Sequence, residues 1–118
     1  MKRSWKQWLA VACLAAVVTH ALAQPKNDEL VITGKDWLSA SMAERKAFLV
    51  GVANLIMAEG AHARKQNRSA PPVSAGITKA AEPYRISEVE ARVTRWYEAN
   101  PGRVTRPVMA VLYQDLAK

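Results

Sequence analysis

Between Ala47 and Ala58 the only polar side chain is Asn54, and this run constrains the fold more than any other feature of the chain. Ser41-Met42-Ala43-Glu44 precedes it with the spacing of a capping box, in which the Ser hydroxyl and the Glu carboxylate each satisfy the other's free backbone N–H. The helix that starts there is expected to span about 42–66. At about 100° per residue, Phe48, Val52, Leu55 and Ile56 share one face, while Leu49, Val50, Ala53 and Met57 share another. A helix apolar on both faces predicts a central, buried element covered on each side by neighbours. Gly51 sits inside the run at a cost of about 1 kcal/mol relative to Ala, and the expected compensation is close approach of another helix.

The rest of the pattern is also helical. Leu30-Val31-Ile32 reads as a docked arm, since a lone strand cannot satisfy its hydrogen bonds. Asp36-Trp37-Leu38 follows as a turn of helix. Asn67 to Gly76, with Pro71-Pro72, reads as a surface loop, and Ile77 to Ala81 as a short helix closed by Pro83. A second capping box, Ser87-Glu88-Val89-Glu90, opens a helix with Val89, Val93, Trp96 and Tyr97 on one side and a Glu88–Arg92 pair on its solvated side. Asn100-Pro101-Gly102 ends that helix. Thr105 then caps a last one, with Pro107 in its first turn and Val108, Val111, Leu112 and Leu116 facing inward. The expected fold is a single all-α domain over residues 24–118, a bundle of four or five helices around the 42–66 helix.

Residues 1–23 are expected to be a cleaved secretory signal. Lys2, Arg3 and Lys6 precede an apolar run from Trp8 to Val18, and Ala21-Leu22-Ala23 supplies a small-x-small cleavage site. The run is shorter than the roughly 20 residues of a membrane span. Cys13, after Ala10-Val11-Ala12, raises lipidation as an alternative, although little apolar sequence precedes it. The expected location is the periplasm. Loss of the three leader cations takes the formal net charge from +7 to +4, so a nucleic-acid partner is not expected. Loss of Cys13, the only cysteine, leaves no disulfide, thiolate metal site or Cys nucleophile.

Trp37-Leu38, the run Lys46-Ala47-Phe48-Leu49-Val50-Gly51, Glu59 and the stretch Val93-Thr94-Arg95-Trp96-Tyr97-Glu98-Ala99-Asn100-Pro101 together resemble small exported bacterial helical proteins of the Tai-like amidase-immunity type. More distantly they are similar to acid-stress chaperones of the HdeA type. The resemblance implies a periplasmic all-α domain that works by binding another protein, in the first case by blocking a toxin delivered into the envelope.

Catalytic signatures are sparse. There is no Gly-x-Ser-x-Gly elbow and no Ser-x-x-Lys motif, and His62 is the only histidine past residue 23. Glu59 and His62 have the Glu-x-x-His spacing of a di-metal bundle, but the second copy that such a site needs is missing. No catalytic residue, metal or cofactor is therefore expected. Glu59 falls near Phe48 on an apolar face, where a buried carboxylate needs a cation or several donors. Arg92, Arg95 or Arg106 would serve, and a proton-donating acid of raised pKa is the alternative. Arg64, Lys65 and Arg68 cluster at the end of the main helix, and Arg103 and Arg106 before the last. With Tyr97, at the margin of its apolar stripe, they are the candidate partner-binding residues.

These readings define a non-enzymatic exported protein-binding module, immunity-like in kind, as the expected function. A holdase-like chaperone and an envelope accessory protein that binds anionic glycan or lipid are the alternatives. A homodimer stays open.

Overall fold

The computed structural model describes residues 30–118, so the expected signal segment, its cleavage site and Cys13 lie outside the described residues. Within them the chain is all-α. Its five helices are α1 (Gly34–Ser39), α2 (Met42–Lys65), α3 (Pro72–Ala81), α4 (Ile86–Ala99) and α5 (Val108–Ala110), with a 3-10 turn at Pro101–Arg103 and a π-helical turn at Val111–Asp115 that continues α5.

Local chemistry explains most boundaries. The Ser41 hydroxyl accepts from Glu44 N–H at 3.2 Å while Ser41 N–H donates to the Glu44 carboxylate at 2.7 Å, the expected capping box. At the other end of α2, Asn67 adopts φ 53°. Asn67 N–H then reaches the Arg64 carbonyl at 3.1 Å, and Arg68 N–H the Ala63 carbonyl at 2.9 Å. This Schellman arrangement satisfies carbonyls that the helix leaves open, and Asn tolerates the left-handed backbone that it requires.

Three boundaries depart from expectation, and the last helix is one of them: it begins at Val108 with Pro107, not Thr105, at its cap position. α3 begins at Pro72, five residues before the expected Ile77 and inside the segment read as loop. Proline at the first helical position lacks only an N–H that would have no partner there, so Pro72 starts this helix and does not exclude it. α4 begins at Ile86, and Arg85 N–H donates to Glu88 at 2.7 Å. Glu88 is thereby engaged at the helix start, and Arg92 turns to Tyr84, donating to its hydroxyl at 3.0 Å with the guanidinium 4.3 Å from the ring centroid.

The arm preceding α1 docks through its backbone. Val108 N–H donates to the Ile32 carbonyl at 2.9 Å, and Thr33 forms an isolated antiparallel bridge with Pro107. The side chains of Leu30, Val31 and Ile32 remain exposed.

The core does not surround α2. Trp37, Val93, Tyr97, Val108, Val111 and Leu112 are almost fully buried, which places the centre between α1, α4 and the last helix. Leu49 and Ala63 are the only buried residues that α2 contributes. The expectation of a central helix sheathed on every side is therefore corrected: α2 lies against α4 along one edge, and the opposite side faces solvent. The four other helices, two of them six residues or shorter, provide too little wall to enclose a helix of 24 residues.

One polar cluster ties α1, α2 and α4 together. Arg45 Nε donates to the Trp37 carbonyl at 2.6 Å, and Nη2 to the Leu38 carbonyl at 3.0 Å. Its Nη1 reaches Glu90 Oε1 at 3.1 Å and Thr94 Oγ1 at 3.3 Å. The Trp37 indole N–H also donates to Thr94 Oγ1, at 3.0 Å, and the Thr94 proton goes to Glu90. Breaking a buried ion pair by removing one partner typically costs about 3–5 kcal/mol, because the other charge is left uncompensated. Arg45→Ala is expected to lower unfolding stability by about 3 kcal/mol, whereas Arg45→Met/Glu90→Leu should lose less than the sum of its single changes. Denaturant unfolding of the four proteins checks this.

Close packing sets a second constraint. A Cβ at Gly34 would collide with the Tyr97 ring and lie 2.8 Å from the Val104 carbonyl oxygen. Gly34→Ala is expected to cost about 1–3 kcal/mol despite alanine's better helix propensity, read as a lower urea midpoint.

The Tyr97 hydroxyl, inside the core, donates to the Arg106 carbonyl at 2.7 Å. Burial pushes its pKa up from 10.0 to about 12, outweighing the Arg106 charge, which acts in the opposite direction. A raised folded-state pKa means that folding favours the protonated phenol. This contribution is complete below pH 10 and fades as pH rises from 10 to about 12. Tyr97→Phe is expected to lose about 1 kcal/mol at neutral pH and to show a shallower decline in stability across that interval, measured by urea melts.

Candidate functional site

Because α2 is uncovered, its apolar residues meet water. Val50 is 46% exposed, Leu55 61% and Met57 69%. Scattered exposed apolar residues are ordinary, but these lie on one helix and adjoin further apolar surface, as docking sites do.

A groove runs between α2, α3 and the start of α4, with a volume of about 280 Å³. Leu49, Ile77, Val89 and Leu112, all core residues, form its floor. Val52, Ala53, Ile56 and Met57 from α2 face Ala81 from α3, with Tyr84 and Ile86 beyond. Glu82 lies on the lining too, and Arg92 stacks on Tyr84, so one charge of each sign stands at this rim. A second apolar recess opens on the other flank, where Phe48, Gly51 and Leu55 face Pro71, Val73 and Met109. Both recesses follow from the small cross-section of α3: Ser74 and Ile77 are its only buried residues, and Ile77 lines both recesses.

The residues singled out from sequence separate into two groups. Arg64, Lys65 and Arg68 are exposed at the end of α2, as expected of a solvated cationic patch. Arg103 is exposed with its guanidinium 5.1 Å from the Trp96 ring centroid. Arg106 is half-buried and already paired within the chain, with Nε donating to Asp115 at 2.6 Å and Nη2 to Gln114 Oε1 at 2.6 Å. Tyr97 is wholly buried and offers no surface to a partner. The expectation that Tyr97 and Arg106 bind a partner is therefore corrected, since both hold the 3-10 turn and the last helix against α4.

Glu59 is half-buried and accepts a hydrogen bond from the buried Ser74 hydroxyl. None of Arg92, Arg95 or Arg106 pairs with it among the described residues. The early start of α3 explains the difference, because it brings Ser74 to the position that an arginine was expected to fill. His62 is exposed on α2, its Nε2 2.9 Å from the amide nitrogen of Gln66. No group of three or more His, Cys, Asp or Glu side chains among the described residues is placed to hold a metal ion. No described helix is long and apolar enough to cross a membrane.

Sequence reasoning missed the groove. Its lining residues carry the same apolar character as a core, and only the absence of a covering element makes them a surface. No family model, curated protein or solved structure matches the chain.

Proposed function

We propose that the chain is an exported, non-catalytic protein-binding module, immunity-like in kind, that holds an apolar segment of a partner protein in the groove between α2, α3 and α4. The observation that carries this reading is that groove: a recess of about 280 Å³ floored by the rigid core and walled almost wholly by apolar side chains. Burial of apolar surface there would supply affinity at about 25 cal/mol per Å² before the costs of association. Tyr84 and Arg92 supply the kind of aromatic and guanidinium contacts in which interface energy concentrates. Recognition of an amphipathic helix by a hydrophobic groove uses the same physics.

A second reading has one observation in its favour. Arg64, Lys65 and Arg68 are exposed at one end of α2, beside the negative pole of the helix dipole, and offer an anion three cations without a competing carboxylate in the last turn. Salt separates the two. A largely apolar interface keeps its affinity as ionic strength rises, whereas attraction between exposed charges is largely screened.

Capture of an envelope protein by the immobilised chain is expected to survive about 0.5 M salt. It should weaken at least about tenfold in Ala53→Phe, which fills the groove, and stay unchanged in Arg64→Glu/Lys65→Glu/Arg68→Glu. Loss of capture in the triple variant alone would transfer the function to the cationic patch. Turnover of peptidoglycan fragments by the purified protein would overturn the non-catalytic reading.

A further inference from the structure

The outer side of α2, opposite its packed edge, carries a pattern that shares only Met57 with the groove. Ala43, Ala47, Val50, Asn54, Met57 and Ala61 succeed one another at spacings of four, three, four, three and four residues. All but the half-buried Ala61 are exposed. That 3.5-residue repeat is the seam of a two-stranded coiled coil, and it differs from the broader stripe with which a helix packs on a globular core. Asn54 occupies the central a-type position, where a single Asn characteristically fixes register and oligomer state. Gly51 borders the seam, and a Cβ there would meet nothing within 4 Å, so no neighbour in the same chain compensates its helix cost.

We infer that this face pairs with the same face of a second copy, in an antiparallel arrangement whose two-fold axis passes through Asn54. The charges along α2 select both the occupant and its direction. Glu44 stands in the first turn, and Arg64 and Lys65 in the last. A parallel pair sets the two cationic positions beside their own copies and aligns the two helix dipoles. The antiparallel pair places Glu44 beside Lys65 of the second copy, at matching e-type positions, and opposes the dipoles. Asn54 then meets its own copy, and its amide carries both the donor and the acceptor that a symmetric contact needs. Gly51 leaves room for the larger side chains of the second copy. Three heptads of contact bury on the order of 500–600 Å² per copy, at the low end for a specific interface, so the pair is a concentration-dependent dimer in the micromolar range. This inference does not rest on the groove reading, because the seam and the groove share no α2 residue but Met57.

Protein expressed from the 118-residue sequence and examined by sedimentation equilibrium between about 1 and 200 µM is expected to pass from monomer to dimer. Asn54→Asp places two carboxylates together on the axis and should weaken the dimer at least about tenfold while leaving the thermal melt of the dilute monomer unchanged. In a Cys13→Ser background, oxidation should join Ala47→Cys to Ala61→Cys when the two variants are mixed, and should not join Ala47→Cys to itself. Self-joining of Ala47→Cys would show a parallel pair, and a chain that stays monomeric throughout would overturn the proposal. So would a monomer in which Asn54→Cys resists a maleimide until residues 1–29 are removed, since the seam would then be occupied by the chain's own N terminus. A dimer insensitive to Asn54→Asp would locate the interface elsewhere. Capture of the groove partner by the Asn54→Asp monomer keeps the two proposals separately testable.

Discussion

The described fold depends on a single guanidinium. Arg45 extends from α2 to two carbonyls of α1 and to Glu90 and Thr94 of α4, so three helices that meet in one apolar cluster also share one polar joint. The planar fork makes this arrangement feasible: Arg presents several donors in fixed directions, whereas a lysine in the same place offers a compact point charge. Thr94 completes the joint, because one hydroxyl accepts from Trp37 and Arg45 and spends its proton on Glu90. The desolvation cost of a buried ion pair is offset only when its remaining donors and acceptors are satisfied, and here most of them are.

That joint also determines what α2 leaves open. With its first turns held at the α1–α4 corner, the helix projects beyond the small core along its remaining length, supported chiefly by Leu49 and, near its far end, Ala63. α3 reaches it with a narrow edge, and the recesses on either flank are the space that a larger neighbour would have filled. The groove and the solvent-facing seam therefore have the same origin, an apolar helix longer than the layer available to cover it.

Much of the fold was legible in order along the chain. The Ser41–Glu44 capping box, the end of α2 near Gln66 and the inward stripe of Val89 and Val93 appear where local chemistry puts them. Pro72 misled because proline's signature is ambiguous: the same residue breaks a helix interior and starts a helix at its first position. Arg45 gave no sign of its role, since its partners lie 45 and 49 residues away at Glu90 and Thr94. Glu59 illustrates the same limit. Its position on an apolar face marked it as needing a partner, but whether that partner would be an arginine or Ser74 was decided by where α3 begins.

Sequence alone determined the all-α class, most helix positions and the apolar character of 47–58, because these follow from backbone propensity, caps and periodicity within a few turns of chain. Tertiary structure alone decided which apolar residues are core and which are surface. Burial is a property of neighbours brought from distant parts of the chain, so Val93 and Leu55, equally apolar on paper, end at 0% and 61% exposure. The same reasoning moved Tyr97 from the surface to the interior, tied the half-buried Arg106 to Asp115 and made α2 the exposed edge of the domain.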